Sequence, residues 1–158
     1  MIVAVSFGLA EMRRTRRQRQ RDATYTMMRS LQTREMLEGL LLLYGLPRGL
    51  GKDALEAQVG AGMVPILTLL ATWESLGILV FQREIPLGQV DDFYSGPIAA
   101  SWDKLGHYVE DHRARSGRQT DWEWFQWLAE RMAERERTAP PAGAYTLHRN
   151  WKPSRKTD

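Results

Sequence analysis

The chain has 158 residues, of which 43% are apolar and 26% charged, with a net charge of +3 and no cysteine. This length and composition fit one globular domain with a core of its own. The missing cysteines exclude a disulfide framework, a thiol nucleophile and any cysteine-ligated zinc or iron–sulfur site.

The chain opens "MIVAVSFGLAEMRRTRRQRQRD", with ten apolar or small residues running into six arginines between Arg13 and Arg21. Ten helical residues rise about 15 Å, against about 30 Å for a bilayer's hydrocarbon core, so residues 1–10 cannot span it. A secretory signal places its positive residues ahead of the apolar run, and here they follow it. The order matches the cytoplasmic exit of a membrane helix, where arginines gather. The expectation is therefore that residues 1–10 are the end of a longer membrane helix. Arg13, Arg14, Arg16, Arg17, Arg19 and Arg21 would form a collar at the headgroups. The same residues also fit a solvated helix or an arginine-rich arm for nucleic acid.

Helical register continues to about Leu31, with Tyr25, Met28 and Leu31 on one stripe. Thr33 is placed to cap a second helix running through Leu43. "YGLPRGLGKD" is a loop. It holds the sole phosphate-loop lookalike, which fails because Leu46 replaces the first glycine and Asp53 the magnesium-binding hydroxyl residue. A third helical region covers residues 53–81, with a break expected near Gly60, Gly62 and Pro65. Beyond the break, Ile66, Leu69, Leu70, Trp73, Leu76 and Val80 mark a buried face.

A short helix is expected between Pro86 and Tyr94, then a fifth opened by Ser95 and Pro97. Ile98, Trp102, Leu105, Val109 and His112 recur along it at alternating steps of four and three. "TDWE" reads as a capping box, Thr120 to Glu123, for a sixth helix over residues 121–137. No alternating run is long enough for a sheet. The fold class is all-α: an irregular bundle of about five or six helices, with a basic N-terminal helix and a C-terminal strap lacking regular structure. It divides into a membrane-helix end plus collar (1–22), a helical bundle (23–137) and a tail packing back on the bundle (138–158).

Charge is distributed unevenly along the chain. Residues 11–21 are net +5, residues 148–158 net +3, and the body between them net −5. A nucleic-acid reader usually spreads its cations over a folded face, and here they are confined to the ends of an acidic body.

His107 and His112 are five apart, about 140° on a helix, and so do not share a face as metal ligands would. Asp103 and Asp111 flank His107 at four residues on either side. Asp92, Asp103 and His107 are the one polar cluster that an active site could use, provided they converge. Asp91 and Asp92 are adjacent, which supplies neither convergent geometry nor separated pKa values. Ser95 and Ser101 have no positioned base. No catalytic residue, metal or cofactor is implied.

In "DWEWFQWLAERM", Trp122, Phe125, Leu128, Ala129 and Met132 form one apolar face, while Trp127 projects among Glu123, Glu130, Arg131 and Glu134. A tryptophan there needs a cover. The tail, with Tyr145, Leu147, Trp151 and Pro153, is expected to supply it as an ordered strap. Otherwise Trp127 and Trp151 would dock a partner.

The segments "EMRRTRRQRQRDATYTMMRSLQTREMLEGLLLLYGLP", "FYSGPIAASWDKLGHYVEDHRARSG", "WFQWLAERM" and "YTLHRNWKP" resemble a family of uncharacterised bacterial proteins. Its members have an N-terminal transmembrane helix, a basic juxtamembrane helix and a small all-helical domain of unknown function. The resemblance runs from about Gly8 to Pro153 and implies that residues 1–10 end a membrane helix, whose first half is missing here. The family assigns no catalytic residues that could be carried over, and the expected location, with the arginine order, is the bacterial inner membrane with the domain facing the cytoplasm. The expected function is a membrane-tethered interaction or scaffold module with an unknown protein partner. The alternative is a soluble, cytoplasmic protein binding nucleic acid non-specifically through its basic ends.

Overall fold

In the computed structural model, which describes residues 2–30, 32–140 and 142–153, the first helix, α1, is unbroken over Ile2–Ser30. Thr33 then caps α2 (Arg34–Gly45), its hydroxyl accepting from the Met36 amide at 3.3 Å. The apolar run after it divides where the glycines require. α3 covers Lys52–Val59, a single 3₁₀ turn covers Gly60–Gly62, and α4 covers Met63–Phe81. Gly60 takes φ 50, ψ −117, a backbone conformation that side chains resist.

Two long elements complete the bundle: α5 (Leu87–Ser116) and α6 (Glu123–Thr138). A four-residue helix, α7 (Ala144–Leu147), lies in the tail. Among the described residues there is no strand, and six helices have eight residues or more. The all-α bundle expected from periodicity is the fold.

α4 is the central helix. Ile66, Leu69, Leu70, Trp73, Leu76 and Val80 are all buried, as the pattern predicts, and α2 and α6 pack along it. Burial of a side chain of this size stabilises by about 1.5–3 kcal/mol. Trp73 is fully buried and donates its indole N–H to Ser101 Oγ at 2.9 Å, which keeps a polar atom satisfied in the core. α5 and α6 run antiparallel: Arg113 meets Gln126 at one end and Asp91 meets Arg135 at the other.

Close approach of α4 and α6 depends on Gly77. A Cβ there would lie 2.8 Å from the Trp124 carbonyl carbon and closer still to its oxygen. Gly77→Ala gains about 1 kcal/mol of helix propensity, but the obstruction is backbone and cannot turn aside. Overpacking costs about 1–3 kcal/mol, so the variant is expected to unfold at a lower urea concentration than the natural sequence. An unchanged midpoint would show that the two helices can separate freely.

One expectation is corrected. Pro97 does not open a helix: α5 runs through it for 30 residues. Gly96 before it has no Cβ to meet the proline ring, and Ser101 Oγ donates to the Pro97 carbonyl at 2.7 Å. Of the stripe Tyr25, Met28 and Leu31, Tyr25 is exposed, while Met27 is buried and Ala23 packs against the core. The side chains of Met28 and Leu31 lie outside the described residues.

Candidate functional site

Helix ends leave backbone groups unpaired, and in this bundle charged side chains from other helices reach across to them. The Asp111 carboxylate on α5 accepts from the Lys52 amide at 2.7 Å, at the start of α3. Gly51, the residue before, makes room, because a Cβ there would lie 2.9 Å from Asp111 Oδ2. Glu74 on α4 accepts from the Phe125 amide at 2.8 Å, in the first turn of α6. At the opposite pole, Lys104 Nζ donates to the carbonyls of Tyr44 and Leu46 at the end of α2, at 2.9 and 2.5 Å. Anions meet helix starts and a cation meets a helix end, the signs the helix dipole favours.

The capping box expected at Thr120 is not formed. α6 begins at Glu123, after Trp122 at φ 55, and Glu74 does the work assigned to Thr120. The turn before α6 is held instead by His112 Nε2 to Asp121 Oδ2 at 3.1 Å and by Arg113 Nε to the Asp121 carbonyl at 2.8 Å.

These groups border a cleft of about 700 Å³ lined by Glu56, Glu74, Tyr108, His112 and Trp122, among others. Burial pushes the Glu74 carboxyl up, against the lowering effect of the Phe125 and Trp124 amides. Its carboxylate is committed to α6, and His112 Nε2 is committed to Asp121. In this cleft Glu74 and His112 Nε2 hold the start of α6, while His112 Nδ1 is buried without a hydrogen-bond partner among the described residues. Among the described residues, no three His, Asp or Glu side chains are grouped to hold a metal.

Asp111 is held below its usual value by the Lys52 amide first and then by Arg115. A depressed folded pKa contributes stability that is fully present above the unfolded value, about 3.8. That stability is lost as pH falls through the folded pKa. The natural sequence is expected to be more stable than Asp111→Asn at neutral pH, with the gap closing in acid. Urea titrations of both proteins at several pH values measure it, and a gap that widened in acid would contradict the assignment.

Asp92, Asp103 and His107 do not converge. All three lie on α5, with Asp92 three turns before Asp103 and exposed. Asp103 instead binds Arg48 at 2.5 Å, and His107 faces Glu110 at 4.0 Å. Trp127 is half-buried, but its cover is not the tail. Phe81 meets it edge-on at 6.0 Å, Trp124 stands at 6.1 Å, and Arg131 lies over its ring at 5.9 Å. The residues described from 142 to 153 are all exposed, so they form no strap on the bundle. Phe81 ends α4, and periodicity alone could not bring it beside Trp127.

The arginine collar lies on α1. Arg14, Arg19 and Arg21 are exposed, whereas the side chains of Arg13, Arg16, Arg17 and residues 1–10 lie outside the described residues. α1 meets the bundle near its C-terminal end: Ala23 and Met27 pack on the core, and Thr24 Oγ1 bonds Gln89 Oε1 at 2.5 Å. A family model described as a domain of unknown function, DUF4760, matches residues 1–132. The chain belongs to that family. The DUF4760 match takes in α1 and the bundle as far as Met132 and leaves the tail outside. No match was found among curated proteins or solved structures.

One stretch of the DUF4760 domain, Lys52–Phe81, is long and apolar enough to cross a membrane by length and composition. It comprises α3, the 3₁₀ turn and α4, and its apolar residues include the bundle's core. A core helix meets that test as readily as a membrane span, so its weight as a membrane signal is small.

Proposed function

We propose that the protein is a helical interaction module held at a membrane by α1. The bundle faces the cytoplasm, where arginines concentrate beside membrane helices. The observation that carries this reading is the continuity of α1 from Ile2 to Ser30, with its docking residues at the far end from the apolar segment. From Ala23 back to Ile2 the helix rises about 30 Å. The order along it is bundle, arginines, then apolar end. Residues 2–10 would reach into one leaflet, with the arginines at anionic headgroups. An interaction role is supported by α2, which exposes Leu37, Leu41 and Tyr44 at positions i, i+4 and i+7, an unpartnered apolar stripe.

Flotation with anionic liposomes at low and high salt tests the tether. Insertion of the apolar end predicts that the protein floats at both. Flotation lost in high salt would reduce the contact to electrostatics, and salt-sensitive binding to an oligonucleotide would then favour the nucleic-acid reading. Absence of flotation at either salt would overturn the tether.

A further inference from the structure

Two ion-pair and hydrogen-bond contacts place the tail relative to the stalk. Thr24 of α1 bonds Gln89, and Arg135 of α6 pairs with Asp91 at 2.8 Å. Gln89 and Asp91 are two residues apart in the first turns of α5. α1 turns into its arginine segment just N-terminal of Thr24, and α6 ends three residues after Arg135, at Thr138. The arginine-bearing stalk and the C-terminal tail therefore leave the bundle at the same end.

The chemistry of the tail is distinctive. Tyr145, Leu147 and Trp151 are 81%, 65% and 70% exposed. Arg149 and Lys152 stand among them, also exposed. No acidic residue occurs between positions 138 and 157, and Arg155 and Lys156 follow in the sequence. Tyrosine and tryptophan carry an apolar ring with a polar edge and collect at the headgroup level of bilayers. Lysine and arginine beside them are drawn to anionic lipid. A disordered spacer has no need of three large apolar side chains.

We infer that residues 142–153 form a second contact with the anionic bilayer surface at which α1 is held. Tyr145, Leu147 and Trp151 enter the interface, with Arg149 and Lys152 on the headgroups. This rests on the tethered reading, because the shared end of the bundle puts the tail beside that surface. Once α1 is bound, the tail meets lipid at high effective concentration, so a contact too weak to hold alone still adds affinity. Two attachments also fix which face of the bundle looks away from the membrane.

The test uses four full-length proteins: the natural sequence, a tail variant (Tyr145→Ser, Leu147→Ser, Trp151→Ser), a collar variant with all six arginines changed to glutamine, and the combination. Each is sedimented with vesicles of phosphatidylcholine alone and with roughly one-third phosphatidylserine. The tail residues are exposed, so the tail variant is expected to melt like the natural protein. It is expected to bind anionic vesicles about tenfold more weakly, and adding the tail changes to the collar variant should weaken that variant further, to the binding that the apolar end of α1 supplies alone. Undiminished binding by the tail variant would overturn the inference, while loss in the collar variant alone would leave the tether standing. Loss in the tail variant alone, with the collar variant unaffected, would keep the tail contact and remove the stalk. If the tail changes abolish binding to a single-stranded oligonucleotide and leave vesicle binding intact, the tail belongs to nucleic acid and the inference fails.

Discussion

Changing Arg13, Arg14, Arg16, Arg17, Arg19 and Arg21 together to glutamine should weaken binding to anionic vesicles by about a thousandfold at physiological salt. Each basic residue near an anionic surface contributes on the order of 1 kcal/mol, and 1.4 kcal/mol is a factor of ten. Six full contributions would exceed the stated figure, but distance along the helix reduces them. If α1 stands upright, Arg13 to Arg17 span about 6 Å of rise, within the Debye length of about 8 Å. Arg19 and Arg21 then lie about 9 and 12 Å from Arg13, where screening is substantial. Four effective arginines correspond to roughly a thousandfold. In about 1 M salt the Debye length falls to about 3 Å, so natural and substituted proteins should converge on whatever binding the apolar end supplies. Vesicle titrations at two ionic strengths measure both limits. A change of less than about tenfold at low salt would mean that the arginines form a solvated helix face.

Trp73→Ala should be the most damaging single substitution in the bundle, at about 3–5 kcal/mol. The indole is fully buried at the centre of α4, with Tyr94 at 6.1 Å between ring centroids, and its N–H is bonded to Ser101. Removal leaves a cavity between helices that cannot collapse without moving α4, and it takes away one of the two hydrogen bonds of the Ser101 hydroxyl, which still donates to the Pro97 carbonyl. A domain of this size has about 5–15 kcal/mol in all, so the variant should be partly unfolded at physiological temperature. Ser101→Ala separates the two contributions. It keeps the ring and removes its acceptor, at a cost of about 1–3 kcal/mol for an unsatisfied buried donor. Equal losses in the two variants by urea denaturation would show that the hydrogen bond, and not the volume, dominates.

The core was legible because helical periodicity carries it. The inward faces of α4, α5 and α6 follow from spacing alone, and Thr33 caps α2 as local chemistry requires. What could not be read are partners far apart in sequence. Glu74 caps a helix 51 residues on, Asp111 one 59 residues back, and Lys104 an end 58 and 60 residues back. Each is a charged residue on a helix, which in sequence looks like solvent-facing polarity. The capping box at Thr120 failed for the same reason, because a distant carboxylate displaced a local candidate. Pro97 misled because proline is a start signal only where the preceding backbone is free to leave the helix, and here α5 continues on both sides. The strap failed because an exposed aromatic in sequence has no stated neighbour, and Phe81 and Trp124 were nearer to Trp127 than any tail residue. Of the polar cluster, Asp92 stands about 16 Å along α5 from Asp103, while Asp103 and His107, one turn apart, pair with Arg48 and Glu110.

The chain contains no cysteine, so one introduced thiol can carry a single environment-sensitive fluorophore. Labelled Val5→Cys, mixed with anionic vesicles and titrated with an aqueous quencher, reports directly on the apolar end of α1, and Glu136→Cys on the outer face of α6 serves as the reference. Emission from position 5 is predicted to shift to the blue and to resist the quencher, while position 136 stays quenchable. Equal quenching at the two positions, with vesicles bound, would contradict the tethered account.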